Sequence, residues 1–218
     1  LERHGFGDQV LAINREGVGI SRRAAGPSAY VFASMGPTGK MLLTGDVSEE
    51  ELHEVFHEQA DALASAGPDA LVLETISDLA EAKIALAAAK STGLPVVACM
   101  VFDCGKDKDR TMTGATPEQV AEELTSAGAD AVGANCGQGP ATYVEICRRM
   151  RKVCDTPLWI KANAGLPQIV DGQTVYATTA NEFASYGPAL IEAGAQFIGG
   201  CCGTSPEFIK ALKEAIPS

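Results

Sequence analysis

The sequence predicts an α/β chain, an incomplete (β/α)8 TIM barrel with about six strand–helix units visible. Two observations carry this class. Short apolar runs alternate strictly with segments of helical periodicity at a spacing of about 30 residues, which implies a parallel sheet with right-handed crossovers. A phrase also recurs where helix gives way to strand: Ser65-Ala66-Gly67-Pro68-Asp69, Ala127-Gly128-Ala129-Asp130 and Ala193-Gly194-Ala195-Gln196. In each, the glycine acts as a C-cap. Repeated corners of this kind favour a barrel over a single dinucleotide-binding unit.

Residues 8–25 carry apolar side chains at 10, 11, 13, 18 and 20, predicting a helix despite Gly17 and Gly19. Residues 30–35 read as a short strand stopped by Gly36-Pro37-Thr38-Gly39. Ser48-Glu49-Glu50-Glu51 has the form of a capping box and opens a helix to about residue 66. A strand over 70–75, a helix over 78–91 and a strand over 95–102 follow. Residues 103–115 form a polar loop, its charge run read as solvated, before a helix over 116–127. A strand over 131–135 ends at Cys136, a helix covers 140–154, and a strand covers 158–162. Residues 165–179 read as a long loop, followed by a helix over 181–193, a strand over 196–199 and a closing helix over 206–215. The strands are apolar nearly throughout, as expected when both faces are covered. One partial barrel domain over 1–218 is expected, with no internal linker.

At 218 residues the chain is long enough for a sizeable core, and 46% apolar with 21% charged residues is ordinary for a globular enzyme. A net charge of −11 argues against nucleic acid or an anionic membrane as partner. No apolar stretch is long enough to span a bilayer. Leu1-Glu2-Arg3-His4 carries neither a signal-peptide core nor an initiator methionine, and the chain is read as starting inside a helical segment, which points to a fragment. Seven irregularly spaced cysteines without an export signal predict reduced thiols and a cytoplasmic setting.

The chemistry is expected at the strand C-terminal ends, the active-site face of a barrel. Residues falling there are Ser34, Gly36, Glu74, Thr75, Asp103, Asn135, Cys136, Asn163, Cys201 and Cys202. Adjacent strand residues face opposite sides, so Cys201 and Cys202 reach one site only if the backbone leaves strand geometry. The glycines around them permit that departure. With Cys136, they would make a three-thiolate zinc site with its fourth position open. The alternative is buried cysteines behaving as small hydrophobes. Glu74 ends an apolar strand, reading either as a hook for a substrate ammonium or as an ordinary strand-end ion pair.

Other motifs compete. His53-Glu54-Val55-Phe56-His57 matches the H-E-x-x-H zinc signature. It lies on a helix whose buried stripe is expected to be Leu52, Val55, Phe56 and Leu63, and a barrel's helix exterior is the wrong side for catalysis. Gly36-Pro37-Thr38-Gly39-Lys40 is too short for a Walker phosphate loop. Cys99, Cys147 and Cys154 read as packing residues, and Cys104 as a loop thiol with no assignable partner.

Together, the Gly200-Cys201-Cys202-Gly203-Thr204 segment before Ser205-Pro206-Glu207, Asn135-Cys136-Gly137 and Asn163-Ala164-Gly165-Leu166-Pro167 resemble the homocysteine S-methyltransferase family. Ser34-Met35-Gly36-Pro37-Thr38-Gly39 and Glu74-Thr75-Ile76-Ser77-Asp78 resemble its early motifs. The resemblance covers the whole chain. It implies a zinc-dependent (β/α)8 barrel that methylates homocysteine to methionine, with Cys136, Cys201 and Cys202 as zinc ligands. It further implies that Glu74 binds the substrate amino group, that Ser34 and Gly36 line the amino-acid pocket, and that Asn163 holds the metal's open position before substrate arrives. The form of residues 163–167, with a long loop carrying Asp171-Gly172, is similar to the homocysteine domain of cobalamin-dependent methionine synthase. A methylcobalamin or corrinoid protein is then the implied donor, not bound by this chain alone. The family's first two strands, including an Asp-Gly motif that helps bind homocysteine, have no counterpart here. Two other readings stand beside this one: a related corrinoid-linked demethylase acting on another substrate, and a silent barrel fragment serving assembly.

Overall fold

The structure is a computed structural model that describes residue 1 and residues 4–216. Glu2 and Arg3 of the N-terminal reading lie outside the described residues. Helix α1 (Val10–Ala25) leads into β1 (Phe32–Met35), then α2 (Glu49–Ala64), β2 (Ala70–Ile76), α3 (Leu79–Lys90) and β3 (Val96–Met100). The chain continues through α4 (Pro117–Ser126), β4 (Ala131–Cys136), α5 (Pro140–Arg151) and β5 (Leu158–Ala162). Strands β6 (Pro167–Val170) and β7 (Gln173–Tyr176) precede α6 (Ala180–Ser185), α7 (Gly187–Glu192), β8 (Ala195–Gly200) and α8 (Pro206–Ala215). One six-stranded sheet runs in the order β1-β2-β3-β4-β5-β8, and every pairing in it is parallel. It is an incomplete (β/α)8 barrel whose open edges are β1 and β8.

The corner phrases explain how each unit locks to the one before it. Gly67, Gly128 and Gly194 all take positive φ, ending their helices in the left-handed region. The residue two places on from each then caps the preceding strand. Asp69 accepts from Val31 N–H at 2.6 Å, Asp130 from Val96 N–H at 2.7 Å, and Gln196 from Leu158 N–H at 2.8 Å. A cation on the neighbouring helix holds each acceptor: Arg22, Lys90 and Arg151 respectively.

Strand alternation sorts the core into two shells. Outward residues such as Leu71, Leu73, Val96, Ala98, Val132 and Ile160 pack under the helices. Inward residues form a smaller cluster of Val72, Val97, Cys99 and Ala131, with Phe32 and Trp159 against it. Phe32, Trp159 and Phe197 stack across this interior with ring centroids 4.9 and 5.0 Å apart. Strand register puts Gly133 beside Trp159, where a Cβ would lie 1.8 Å from the Trp159 carbonyl oxygen. The next inward layer towards the strand ends is polar and carries Ser34, Glu74, Asn135 and Lys161.

Three segments depart from the sequence reading. The long loop expected over 165–179 contains the antiparallel hairpin β6–β7, turned by Asp171 and Gly172 at φ 51 and 77. That Asp-Gly pair is a type I′ turn signal. The helix expected over 181–193 is divided at Tyr186, because Pro188 has no N–H to donate and its ring crowds the preceding turn. In α2 the buried stripe is Leu52, Phe56, Ala60 and Leu63, while Val55 is 53% exposed. The Ser48–Glu51 capping box is present as expected.

Candidate metal centre

Two strand ends repeat one device. In β2 the inward Glu74 is followed by Thr75 at φ 63, and in β4 the inward Asn135 is followed by Cys136 at φ 63. Left-handed backbone at a non-glycine residue, and above all at a β-branched one, costs about 1–3 kcal/mol and persists only where surroundings enforce it. The gain is directional. Thr75 and Cys136 would face outward in regular strand geometry, and instead their side chains meet at the mouth, with Oγ1 and Sγ 3.3 Å apart.

Asn135 enforces both conformations. Buried at 1% exposure, it accepts from Thr75 N–H at 2.7 Å and donates to Thr75 Oγ1 at 2.7 Å. The same Nδ2 faces Cys136 Sγ at 3.6 Å and Cys201 Sγ at 3.7 Å. After β8 the chain turns at once. Cys201 N–H still reaches back to the Ala162 carbonyl at 2.8 Å, and Thr204 N–H closes the turn on the Cys201 carbonyl at 3.2 Å. Gly203, at φ 79, leaves room for the Tyr176 ring from the hairpin to lie against the turn.

Asn163 ties the two cysteine segments together. Its Oδ1 accepts from Cys202 N–H at 2.9 Å and its Nδ2 donates to the Gly137 carbonyl at 2.9 Å. Both ends of this buried amide therefore serve backbone groups.

The outcome is three sulfurs in one place. Cys136 Sγ lies 3.1 Å from Cys201 Sγ and 3.9 Å from Cys202 Sγ, and all three fall within 4.8 Å of one another. None of the seven cysteines is in a disulfide. Tetrahedral sulfurs at a Zn–S distance of about 2.3 Å stand about 3.8 Å apart, so this donor set fits zinc with a fourth position left over. Without a metal, the hydrogen bond between the Cys136 and Cys201 thiols, helped by Asn135, lowers the Cys201 thiol, while the same bond and burial push Cys136 up.

Beside the sulfurs, Glu74 is engaged at both oxygens. Ser34 Oγ donates to Oε2 at 2.8 Å, and Lys161 Nζ to Oε1 at 2.6 Å. Burial alone would lower the Lys161 ammonium, but hydrogen bonding and charge from Glu74 outweigh it and leave the pKa raised. Ser34 and Gly36 are exposed at and just beyond the end of β1, and the Gly36 Cα side faces open space.

The remaining candidates fall elsewhere. His53 and His57 sit on the outer flank of α2, with His57 Nδ1 3.3 Å from Asp61. Cys99 is buried in the inner shell, and Cys147 and Cys154 are buried along α5 and its end. Cys104 donates to Asp103 at 3.3 Å, and that hydrogen bond raises its pKa, away from a reactive thiolate. Lys161 was missed in sequence, although a lone charge at an inward position of Leu158-Trp159-Ile160-Lys161-Ala162 was the available signal. Thr75 and Asn135 stood among the strand-end residues without a role, because their pairing spans 60 residues of sequence.

A family model for homocysteine S-methyltransferase matches residues 1–216. Among curated proteins, methionine synthase of Mycobacterium tuberculosis (strain ATCC 25618 / H37Rv) is 28% identical over 99% of this chain, which covers 19% of that protein. Betaine–homocysteine S-methyltransferase 1 of Danio rerio is 31% identical over 78% of this chain and 46% of its own length. The chain thus spans about a fifth to a half of the curated relatives it matches. Among solved structures, the apo form of the homocysteine methyltransferase MmuM from Escherichia coli superposes with a TM-score of 0.76 at 23% identity. That match covers 96% of this chain and 74% of that one. Its metallated form gives 0.71 at 24% identity, over 94% and 70%. With a family model matched across nearly its whole length, the chain belongs to the homocysteine S-methyltransferase family.

Proposed function

We propose that this chain is a cytoplasmic, zinc-dependent barrel domain that methylates the thiol of homocysteine to give methionine, with a methylcorrinoid as donor. The observation that carries the reading is the convergence of Cys136, Cys201 and Cys202 beside the Glu74–Ser34 pair. Zinc held by the three thiolates would supply a lowered pKa to a thiol entering the open position, so that it reacts as thiolate.

The chain's own residues do the rest. Asn135 and Thr75 hold Cys136 turned towards the mouth, and Asn163 keeps the Cys202 segment registered on Gly137. For Asn163 to hold the open position before substrate arrives, as the resemblance implies, its side chain would first release the Cys202 N–H or the Gly137 carbonyl. Glu74 receives the substrate ammonium, with Ser34 fixing the orientation of its carboxylate and Gly36 lining the pocket. In the transfer, a sulfur lone pair forms the new C–S bond and the bond from methyl to donor breaks with its electron pair left on the donor.

Support for the corrinoid comes from the likeness of residues 163–167 and the Asp171-Gly172 segment to the methionine synthase type, and from the match to a methionine synthase along 99% of this chain. Zinc-loaded chain given L-homocysteine should form methionine from methylcobalamin and not from S-methylmethionine or S-adenosylmethionine. Methionine from S-methylmethionine alone would overturn the donor. No methionine from any of the three, with zinc bound, would favour an assembly role.

A further inference from the structure

We infer that Lys161 is the receptor for the substrate's carboxylate, so that the Lys161–Glu74 pair reads both charges of a free α-amino acid. This rests on the methyl-transfer reading above and names its substrate class. Glu74 alone would accept any thiol carrying an amine. The pair is selective for a zwitterion, because a ligand ammonium against Glu74 and a ligand carboxylate against Lys161 leave each protein charge matched.

Four observations carry the assignment. The pair is pre-formed, with Nζ and Oε1 2.6 Å apart and side chains only 26% and 17% exposed. An ion pair this enclosed adds little or nothing to stability over an apolar pair of the same size, so its place beside the thiol cluster calls for a use. Its position suits one, because Glu74 directly precedes Thr75, whose hydroxyl meets Cys136 Sγ at 3.3 Å, and Lys161 pairs in register with Gly199, two residues before Cys201. The Lys161 stem is given a bed: register pairs it with Gly199, where a Cβ would stand 3.3 Å from Lys161 Cγ and 3.8 Å from Cδ. Finally, the pair has spare capacity. A carboxylate offers about four acceptor sites and an ammonium three donors. Among the described residues Glu74 uses two, with Ser34 and Lys161, and Lys161 gives one hydrogen bond, to Glu74.

Calorimetric binding of three thiols to the zinc-loaded chain separates the two charges: L-homocysteine, 3-aminopropanethiol, which lacks the carboxylate, and 4-mercaptobutanoate, which lacks the amine. Lys161→Met should weaken L-homocysteine and 4-mercaptobutanoate about tenfold or more, the range of one charge-assisted hydrogen bond. It should leave 3-aminopropanethiol unchanged or tighter, since Glu74 loses its resident cation. Lys161→Arg should retain binding of 4-mercaptobutanoate. The double variant Glu74→Gln with Lys161→Met, which leaves no unpaired charge to disturb folding, should show the same loss for 4-mercaptobutanoate. Equal weakening of all three thiols, or undiminished 4-mercaptobutanoate binding in either Met variant, overturns the assignment while leaving methyl transfer intact. A zinc-loaded parent that binds none of the three overturns both.

Discussion

Asn135 and Thr75 hold each other at both ends. The asparagine carbonyl accepts the Thr75 N–H at 2.7 Å, and its amide donates to the Thr75 hydroxyl at 2.7 Å. With its oxygen accepting from the amide, the hydroxyl hydrogen is free to point at Cys136 Sγ, 3.3 Å away. One buried side chain therefore fixes a strained strand end, orients a donor onto a sulfur and faces a second sulfur.

Asn135→Ala removes that device and leaves the Thr75 N–H and hydroxyl without their partner. A loss of about 2–3 kcal/mol is expected from chemical denaturation of the metal-free chain. Asn135→Asp keeps the acceptor for Thr75 N–H but brings a negative charge against two sulfurs. It should lower zinc affinity more than Asn135→Ala does, measured by chelator competition. Equal affinities in both variants would remove the electrostatic part of the account.

Gly133→Ala should be among the most damaging single methyl additions, because its Cβ would sit 1.8 Å from the Trp159 carbonyl oxygen on the adjacent strand. A cost of at least about 3 kcal/mol is expected, read as lost soluble yield or a lowered denaturation midpoint. Gly17→Ala, in an exposed stretch of α1 with nothing within 4 Å, should instead stabilise by about 0.5–1 kcal/mol.

Arg149 clamps the 103–115 loop to α4 by holding Asp109 and both oxygens of Glu118. Hydrogen bonds from Arg149 lower the Glu118 carboxyl from 4.5 to about 2. A depressed carboxylate pKa gives stability that is full above pH 4.5 and is lost as pH falls through about 2. Glu118 is 34% exposed, so the contribution after solvent screening is about 1 kcal/mol. Melting temperatures of metal-free Arg149→Met should fall less than the parent's between pH 4.5 and 2. Parallel curves in that window would contradict the clamp.

Where the sequence was legible, one physical constraint dominated. The six parallel strands are covered on both faces and so read as apolar runs, and the glycine-flanked cysteines could only be turns out of such strands. The hairpin at Pro167–Tyr176 was not legible as strand, because Gln168, Ile169, Thr174 and Val175 are all exposed and no core imposes alternation on them. Its turn signal, Asp171-Gly172, was present and was read only as part of a loop. Lys161 was invisible for another reason. Its partner Glu74 is 87 residues away and is brought to it only by barrel curvature.

The His53-Glu54-Val55-Phe56-His57 motif gives a control with the opposite expectation. Both histidines stand on the outside of α2, away from the sulfurs. Zinc content of His53→Ala and His57→Ala, measured by atomic absorption after reconstitution, should equal that of the parent. Metal lost with either histidine would return the chain to the H-E-x-x-H reading.

The central claim is that Cys136, Cys201 and Cys202 hold zinc with a position open for the substrate's sulfur. Zinc-edge X-ray absorption on the reconstituted chain tests it most directly. The account predicts three sulfurs at about 2.3 Å, rising to four when L-homocysteine is added, and loss of that shell when any of the three cysteines is replaced by alanine. A shell dominated by nitrogen, or one that keeps its sulfur count when homocysteine binds, would contradict it.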